Sequence, residues 1–406
     1  MKIVFITFLF DPQLGGGASQ VVYDLAQGMA NLGNEVSVIT SSSKNDQKTY
    51  FDNNIQVYQI FAPNLYWIYE KDNQTNNKKF IFQLIDTWNP FVKSKVKSIL
   101  QNVMPDIVHV HKLRGLSPSV WSAAKEANIK KIIHTCHDYE LISPQGLLEG
   151  KIGELSLKRA FPLNFYQKIR ANSSNSVTDV ITPSKLLGQK HIDFGLFKFA
   201  NKSIIPNSHG LSRKIIEENR KLLNSNFGSK DLKILYLGRV VKEKGVGVIC
   251  DLISKFEKED LNIKLIIVGS GQYETQLKKE YKDCQNISFL GSNYSPEKYK
   301  FLEQSDLLVV PSLVPESFGI VVTEAFAFGK PVVASNIGAI PELIEDGYNG
   351  FLFEPNNIEQ LENIIKKIYD NKTILDEMRD NCFLSAEKYC IERFIEKHLE
   401  IYNAKI

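Results

Sequence analysis

Short apolar runs alternate with amphipathic segments along the 406 residues of the chain. Residues 18–32 form one such amphipathic segment, with Val21, Leu25 and Met29 on a single helical face. The apolar runs of the first half have the length of buried parallel strands and lie at 3–9, 35–40, 106–111, 131–135 and 177–182, and the segment 204–207 closes this half. This alternation predicts a doubly wound α/β domain, in which ligands bind at the carboxyl ends of the strands.

The second half of the chain repeats the pattern after a polar run at about 208–232. Strands are predicted at 232–237, 263–268, 287–290 and 307–310, and helices at 246–256, 273–281, 321–328, 358–369, 374–389 and 391–402. A chain of this length exceeds one ordinary hydrophobic core and suits two domains. The boundary is predicted at 207/208.

Composition excludes several classes of protein. With 43% hydrophobic and 23% charged residues, the chain is typical of a soluble globular protein. A net charge of +3 is too small to indicate a nucleic-acid partner. The five cysteines show no C-x-x-C pairing, which favours reduced thiols in a cytoplasmic protein. The apolar start runs into Asp11-Pro12 without a small-residue cleavage site, so we interpret it as a strand and not as a signal peptide.

Residues 78–103 combine basic and aromatic side chains on a predicted helix that is interrupted at Pro90: Lys93, Lys95, Lys97, Trp88 and Phe91. Such a segment could rest on anionic lipid at the inner face of the cell membrane. A solvated helix face is the more common explanation for this composition. A peripheral membrane contact is therefore kept as an alternative.

The stretch 311–355 contains two glutamates with a suggestive spacing. Glu316 and Phe318 lie in the loop after the strand at 307–310, and Glu324 follows eight positions after Glu316 in a predicted helix. At about 1.5 Å rise per residue, the two carboxylates can contact two parts of one elongated ligand. Gly319 allows close approach of the backbone, and the free N–H groups of the first helical turn form an anion site. A nucleotide-sugar fits this arrangement.

Two loops offer further groups for a diphosphate. Arg239 and Lys244 lie in the loop after the strand at 232–237 and provide a bidentate fork and a point charge, although an ordinary basic loop is the alternative. Near the N-terminus, Gly15, Gly16 and Gly17 leave backbone N–H groups bare, although a tight turn has the same composition.

Histidines mark the carboxyl ends of two strands of the first half. His137 and Asp138 follow the strand at 131–135, and the charge of a histidine there is tunable near neutral pH. His109 and His111 share one face of the strand at 106–111. No third metal ligand is placed beside them, so we interpret them as packing or cleft-wall residues.

These motifs together resemble the retaining glycosyltransferases of family 4. The resemblance is carried by PESFG with its Glu-x7-Glu spacing, GKPVVAS, GAIPELIEDGYNGFLF, GRVVKEKG and HDYELISPQG, and it spans nearly the whole chain. It implies a GT-B architecture, with two Rossmann-like doubly wound domains facing across a cleft. Residues 1–207 would form the acceptor-side domain and 208–387 the nucleotide-sugar-binding domain, with a last helix at about 388–406 crossing back onto the first.

The resemblance also implies roles for individual residues. Glu324 would bind the ribose hydroxyls, Glu316 the sugar hydroxyls, and Arg239 with Lys244 the diphosphate. The implied catalytic set is His137, Glu316, Arg239 and Lys244. The implied donor-binding set is Gly15, Gly16, Gly17, Gly238, Arg239, Lys244, Gly269, Gly271, Leu290, Glu316, Phe318, Gly319, Ile320 and Glu324, with Leu290 at the base.

The implied reaction moves a hexosyl group from a UDP or GDP sugar to a glycan or lipid-linked acceptor, with retention of configuration, in polysaccharide or glycoconjugate synthesis. The sequence contains no Asp-x-Asp, so no metal and no other cofactor is expected. Two alternatives stay open: a nucleotide-sugar 2-epimerase of the same architecture, and a non-catalytic subunit that binds the nucleotide-sugar.

Overall fold

The computed structural model divides into two compact units. The first unit comprises Met1–Pro206 together with Phe394–Ile406, and the second comprises Asn207–Arg393. The residues that the structure describes are 1–68, 70, 74–144, 146, 163–222, 231–293 and 296–404.

The first unit is built on a sheet in the order β3-β4-β2-β1-β5-β6-β7-β8 within the described residues. Its strands are β1 (Lys2–Thr7), β2 (Glu35–Ser42), β3 (Lys48–Asp52), β4 (Ile55–Phe61), β5 (Ile107–Val110), β6 (Lys131–Thr135), β7 (Asp179–Thr182) and β8 (Asn201–Ile204). All pairings are parallel except that of β3 with β4. The segment 204–207, which was expected to close the first domain, begins where β8 ends at Ile204.

Helices connect these strands: α1 (Pro12–Asn31), α2 (Asn76–Thr87), α3 (Pro90–Val103), α4 (Ser119–Glu126), α5 (Leu163–Ser173) and α6 (Lys185–Asp193). The start of α3 follows its local sequence, because Pro90 occupies the first turn and the side chain of Asn89 accepts hydrogen bonds from Phe91 N and Val92 N. The glycines at 15–17 were predicted as a loop, but they lie inside α1. Gly16 kinks that helix at φ 66° and ψ −160°, a conformation open to glycine.

The second unit has the parallel order β11-β10-β9-β12-β13-β14 within the described residues. Its strands are β9 (Leu232–Leu237), β10 (Ile263–Val268), β11 (Ile287–Phe289), β12 (Leu307–Val310), β13 (Val332–Ser335) and β14 (Gly350–Phe353). The strand order reverses between β9 and β12. That switch point is where doubly wound sheets open a crevice for ligands.

The helices of the second unit are α7 (Arg213–Leu222), α8 (Val246–Lys258), α9 (Glu274–Glu280), α10 (Tyr299–Gln304), α11 (Ile320–Ala327), α12 (Ile358–Asp370) and α13 (Thr373–Ala386). They cover both faces of the sheet, since neighbouring strand residues join different cores. Ile234 belongs to the core that contains Phe256 of α8, and Leu235 to the core that contains Phe326 of α11. The central strands β12 and β13 are buried at every position, which explains their continuous apolar runs.

The last helix, α14 (Ile391–Asn403), begins at the end of the second unit and continues into the first. Its buried side chains Phe394, His398 and Tyr402 repeat every four residues. Ile395 lies against Gly28 of α1, where an added Cβ would stand 2.2 Å from Ile395 Cδ1. Lys131 Nζ donates to the carbonyls at the end of α14, including Ala404 O at 2.6 Å. In the described ranges, no helix is long and apolar enough to cross a bilayer.

Candidate functional site

Three glycines of the predicted donor set lie where the loops after β9 and β10 meet. A Cβ on Gly269 would stand 1.8 Å from Gly238 O, and one on Gly271 would stand 2.3 Å from Val240 O. The two loops are joined by backbone hydrogen bonds from Gly238 N to Val268 O at 3.0 Å and from Val240 N to Ser270 O at 2.9 Å. The glycines therefore allow close backbone packing, which forms a wall of main chain at the carboxyl end of the sheet.

The loop after β9 also contacts the loop after β12. Gly245 adopts a φ of 70°, and a Cβ there would stand 1.8 Å from Pro311 O. Leu313 N donates to Glu243 O at 2.9 Å. This contact brings Lys244 Nζ within 2.5 Å of Glu316 Oε1, so two residues that are distant in sequence form an ion pair.

The carboxylate of Glu316 is held from several sides. Ser312 Oγ donates to the same carboxylate oxygen that Lys244 binds, and the backbone of Glu316 is fixed separately by Ala339 N, which donates to the carbonyl of Glu316 at 2.9 Å. Burial acts to raise the pKa of Glu316, but the charge and hydrogen bond of Lys244, the hydroxyl of Ser312 and the charge of Arg239 hold it below its ordinary value of 4.5. Glu316 is therefore ionised at neutral pH, while Arg239 itself is exposed.

Glu324 lies in α11, whose first turn follows Gly319 at φ 106°. Its side chain is 5% exposed, and Oε1 accepts a hydrogen bond from Lys298 Nζ at 2.6 Å. Oε2 is buried and has no hydrogen-bond partner within the part of the chain that the structure describes. A buried carboxylate oxygen without a donor is costly unless a ligand or solvent supplies one.

Lys298 is a site residue that the sequence analysis missed. It precedes α10 in the segment between β11 and β12, and only the fold brings it to Glu324. No motif or spacing in the sequence distinguishes it from the neighbouring surface lysines. The pairing depends on strand order, since β11 and β12 lie on opposite sides of β9 and β10.

The remaining predicted donor residues differ in exposure. Phe318 is buried and packs edge-on against Tyr389 at 5.9 Å between ring centroids, so it supports the loop from the core. Ile320 is half-buried at the start of α11. Leu290 follows β11 with its side chain 46% exposed, so its apolar surface is open to a planar group.

In the first unit, His137 lies at the carboxyl end of β6. Its Nε2 is 2.9 Å from His111 Nδ1, and its buried Nδ1 has no partner among the described residues. Burial, followed by the charge of Lys112, lowers the pKa of His137 to about 3. The expectation of a charge tunable near neutral pH is therefore wrong: the ring is neutral there, and it can exchange hydrogen bonds without carrying charge.

Next to His137, Asp138 pairs with Lys112 at 2.7 Å, and its other oxygen accepts from Glu140 N at 2.8 Å. The three glycines of α1 belong to the same unit, at the end of β1. A Cβ added to Gly16 would have no atom within 4 Å, so the space on that side of the glycine is open. The structure thus places Gly15–Gly17 and His137 in the first unit, and the other predicted site residues in the second.

His109 lies in β5 and His111 follows its last residue, and both are buried packing residues. Their ring centroids lie 4.1 Å apart. His109 Nδ1 is 2.6 Å from Tyr402 Oη of α14, and its Nε2 is 2.7 Å from Thr135 Oγ1. Across the described ranges, no three His, Cys, Asp or Glu side chains are grouped to hold a metal ion.

The fold defines the class of protein, since two doubly wound parallel sheets are the architecture of the GT-B glycosyltransferases, as the sequence predicted. Residues 15–212 match the family model described as Glycosyltransferase Family 4, and residues 217–388 match Glycosyl transferases group 1. The two models together span most of the chain. The chain belongs to the glycosyltransferases of this GT-B family.

Individual proteins resemble the chain over most of its length. An uncharacterised 42.6 kDa protein of the cps region of Klebsiella pneumoniae is 29% identical over 84% of this chain and 87% of its own. The alpha-monoglucosyldiacylglycerol synthase of Acholeplasma laidlawii is 25% identical over 99% of this chain and 96% of its own. The structure of Anabaena HepE, in complex with UDP and glucose, superposes with a TM-score of 0.70 at 18% identity and covers 100% of both chains.

Proposed function

We propose that this protein transfers a hexosyl group from a nucleotide-diphosphate sugar to a glycan or lipid-linked acceptor, with retention of configuration. The second unit would bind the donor and the first the acceptor. Polysaccharide or glycoconjugate synthesis is the proposed setting. Similarity to a protein of a cps region and to HepE with UDP and glucose supports a UDP sugar as the first donor to test.

The arrangement of the two glutamates carries this proposal. Glu316 is paired with Lys244 at 2.5 Å and sits beside the loop that contains Arg239. Glu324 keeps one buried oxygen without a partner in the described part of the chain. A donor sugar needs hydroxyl acceptors at the hexose and at the ribose, and cations at the diphosphate between them. The site contains each of these groups in the second unit.

In the proposed reaction, the bond between the anomeric carbon and the diphosphate oxygen breaks as the acceptor oxygen forms a bond on the same face of the sugar. The acceptor proton passes to the leaving diphosphate, whose charge Lys244 and Arg239 compensate without a metal. Glu316 would hold a sugar hydroxyl while positive charge grows on the ring. Neutral His137 would exchange a hydrogen bond with the sugar or the acceptor through Nδ1.

The test of this function is a donor screen with a product assay. UDP-glucose, UDP-galactose, UDP-N-acetylglucosamine and GDP-mannose are each tested for protection against thermal unfolding, because a bound donor raises stability by mass action. The best donor is then incubated with and without acceptor glycans and diacylglycerol. Transfer that requires an acceptor supports the proposal. Conversion of the donor without acceptor identifies the epimerase instead, and binding without turnover identifies the non-catalytic subunit.

A peripheral location on the inner face of the membrane is the second part of the proposal. The outward face of α2 is apolar, with Phe80 48%, Ile81 45% and Leu84 43% exposed, and Trp88 at its end is 37% exposed. Lys78 lies beside that face. The acid in this helix, Asp86, is buried and pairs with Arg170 at 3.3 Å, so it does not offset the lysine. An apolar helix face flanked by lysine suits an anionic lipid surface.

Vesicle sedimentation tests the membrane contact. The protein is expected to sediment with vesicles of mixed phosphatidylcholine and phosphatidylglycerol, and less with phosphatidylcholine alone. The double change Phe80→Ser and Leu84→Ser should abolish sedimentation, whereas Phe51→Ser, at a more exposed aromatic residue of β3 (72%), should not. Equal sedimentation of all three proteins would refute this contact.

A further inference from the structure

We propose that Lys298 is a positioning residue of the donor site, which holds one oxygen of Glu324 so that the other oxygen accepts a ribose hydroxyl of the nucleotide. This inference rests on the proposed function. It assigns part of the recognition of the ribose to a lysine that lies outside the glutamate motif. It also predicts that the site selects nucleotides with free ribose hydroxyls.

The geometry of the pair leads to this assignment. Lys298 Nζ lies 2.6 Å from Glu324 Oε1, with side chains 17% and 5% exposed. The two residues come from different segments, one before α10 and the other within α11. Of the two carboxylate oxygens of Glu324, Lys298 contacts Oε1, and Oε2 remains buried without a donor in the described ranges. Because only one carboxylate oxygen is bound by the lysine, the other oxygen, Oε2, is available to accept a hydrogen bond from a ligand.

The orientation of Glu324 depends on Lys298 for a physical reason. A carboxylate this deeply buried loses its hydration, and a paired cation offsets that cost. Without Lys298, the Glu324 side chain would lose the contact that fixes Oε1 and would turn toward water. That change would remove the fixed acceptor that a ribose hydroxyl requires.

The ligand group follows from the chemistry of Oε2. A carboxylate oxygen accepts hydrogen bonds and does not donate them, so it selects hydroxyls or amines and repels phosphate. The ribose carries two neighbouring hydroxyls, whereas the diphosphate carries only acceptors. Lys298 therefore affects ribose recognition through Glu324, and it should have little effect on a nucleotide that lacks these hydroxyls.

A thermodynamic cycle tests this directly. Among UDP, GDP and ADP, the tightest ligand of the wild-type protein is identified by calorimetry, and its 2′,3′-dideoxy analogue is measured beside it. Lys298→Met is expected to weaken the normal nucleotide about tenfold or more, the loss of one charge-assisted hydrogen bond. It should change the affinity of the dideoxy analogue by less than about twofold, within ordinary additivity error.

Two further variants complete the experiment. Lys298→Arg keeps a cation at the position and should recover most of the lost affinity, which a general folding defect would not allow. Lys300→Met alters an exposed lysine two positions later and should leave both affinities unchanged. Thermal unfolding of each variant confirms that it is folded.

Every outcome of the cycle is informative. If Lys298→Met binds the normal nucleotide as tightly as wild type, or more tightly, Lys298 does not position Glu324. If the variant weakens both nucleotides by the same factor, the lysine acts on the base or phosphates and the assignment is wrong. If wild-type protein binds none of the three nucleotides, the proposed function itself fails, and the inference fails with it.

Discussion

The two units of this protein contain polar side chains of different character. The first unit contains neutral rings, because six of the seven histidines of the chain are buried in it: His109, His111, His134, His137, His191 and His398. The second unit presents charged pairs, Lys244 with Glu316 and Lys298 with Glu324. Its one histidine, His209, is bound to Ala386 O.

This difference shows how one fold can be adapted to two kinds of ligand group. The lysines of the charged pairs suit a diphosphate, whose charge must be compensated as it leaves, and their carboxylates suit the hydroxyls on either side of it. Neutral imidazoles suit hydroxyl groups, which exchange hydrogen bonds without a change of charge. The comparison predicts that the two units respond differently to acid, to substitution and to chelators.

The largest expected effect is acid destabilisation of the first unit. Burial lowers the pKa of each of its six histidines, to about 3 for His137 and about 4 for His398. Below the ordinary value of 6.5, the unfolded chain takes up protons that the folded unit does not. The free energy of unfolding should therefore fall by up to about 1.4 kcal/mol per pH unit for each histidine.

The second unit should remain folded at a lower pH than the first. Its carboxylate Glu316 has a pKa below 4.5, so the stability it contributes is present above that value and is lost only as the pH falls through the folded-state pKa. Fluorescence reports on the first unit alone, because all three tryptophans, Trp67, Trp88 and Trp121, lie there. Hydrogen exchange with mass spectrometry compares the units. Loss of protection in both units at one pH would contradict the comparison.

The next largest effect is expected for Lys244→Ala. The change leaves the half-buried carboxylate of Glu316 without its cation and weakens compensation of the leaving group, so turnover should fall by about 100-fold. Lys242→Ala is the matched control, since Lys242 is an exposed residue of the same turn. Initial rates at saturating donor measure the effect. A Lys244→Ala protein with wild-type turnover would remove the charged pair from the mechanism.

A smaller effect separates the two glutamates of the second unit. Glu324→Gln should weaken free nucleotide and whole donor alike by about 1.5–3 kcal/mol, because a charged acceptor is lost at the ribose. Glu316→Gln should leave free nucleotide affinity nearly unchanged and lower turnover instead. Calorimetry with nucleotide and rate measurements with acceptor distinguish these roles. Equal weakening of free nucleotide by both changes would show that the division is wrong.

The smallest expected effect is that of a chelator, for which we predict no change. Lysine and arginine side chains, and not a divalent ion, would compensate the diphosphate in the second unit. Activity is measured in excess EDTA and again after addition of magnesium or manganese. Activity that disappears in EDTA and returns only with metal would contradict the proposed role of the charged pairs.

Much of the fold could be predicted because its central strands are buried on both faces. The strands β6, β9, β10 and β12 have the predicted bounds, and the last three are followed directly by Gly238, Gly269 and Pro311, which end a regular element. The edge strand β3 and its neighbour β4 were missed. In β3 most side chains are exposed, so its sequence Lys48–Asp52 lacks an apolar signal. β3 is held by antiparallel pairing with β4, and the local sequence of β3 gives no sign of this pairing.

The candidate site was only partly predictable. The sequence indicated Glu316, Glu324 and Lys244 because they stand in recognisable loops. It did not indicate that Lys244 binds Glu316 or that Lys298 binds Glu324, because these pairs depend on the order in which strands far apart in sequence are arranged in the sheet. The same limit applies to His109 and Tyr402, which are hydrogen-bonded across 293 positions of the chain.

The return of α14 to the first unit has a consequence for how the protein is made. A ribosome completes the whole of Asn207–Arg393 before it adds Phe394, His398 and Tyr402. At about 5–20 residues per second, the nascent first unit waits on the order of ten to forty seconds with Gly28 and His109 uncovered. The second unit is contiguous and can fold during that interval. The N-terminal half of the polypeptide is therefore the last to reach its finished state.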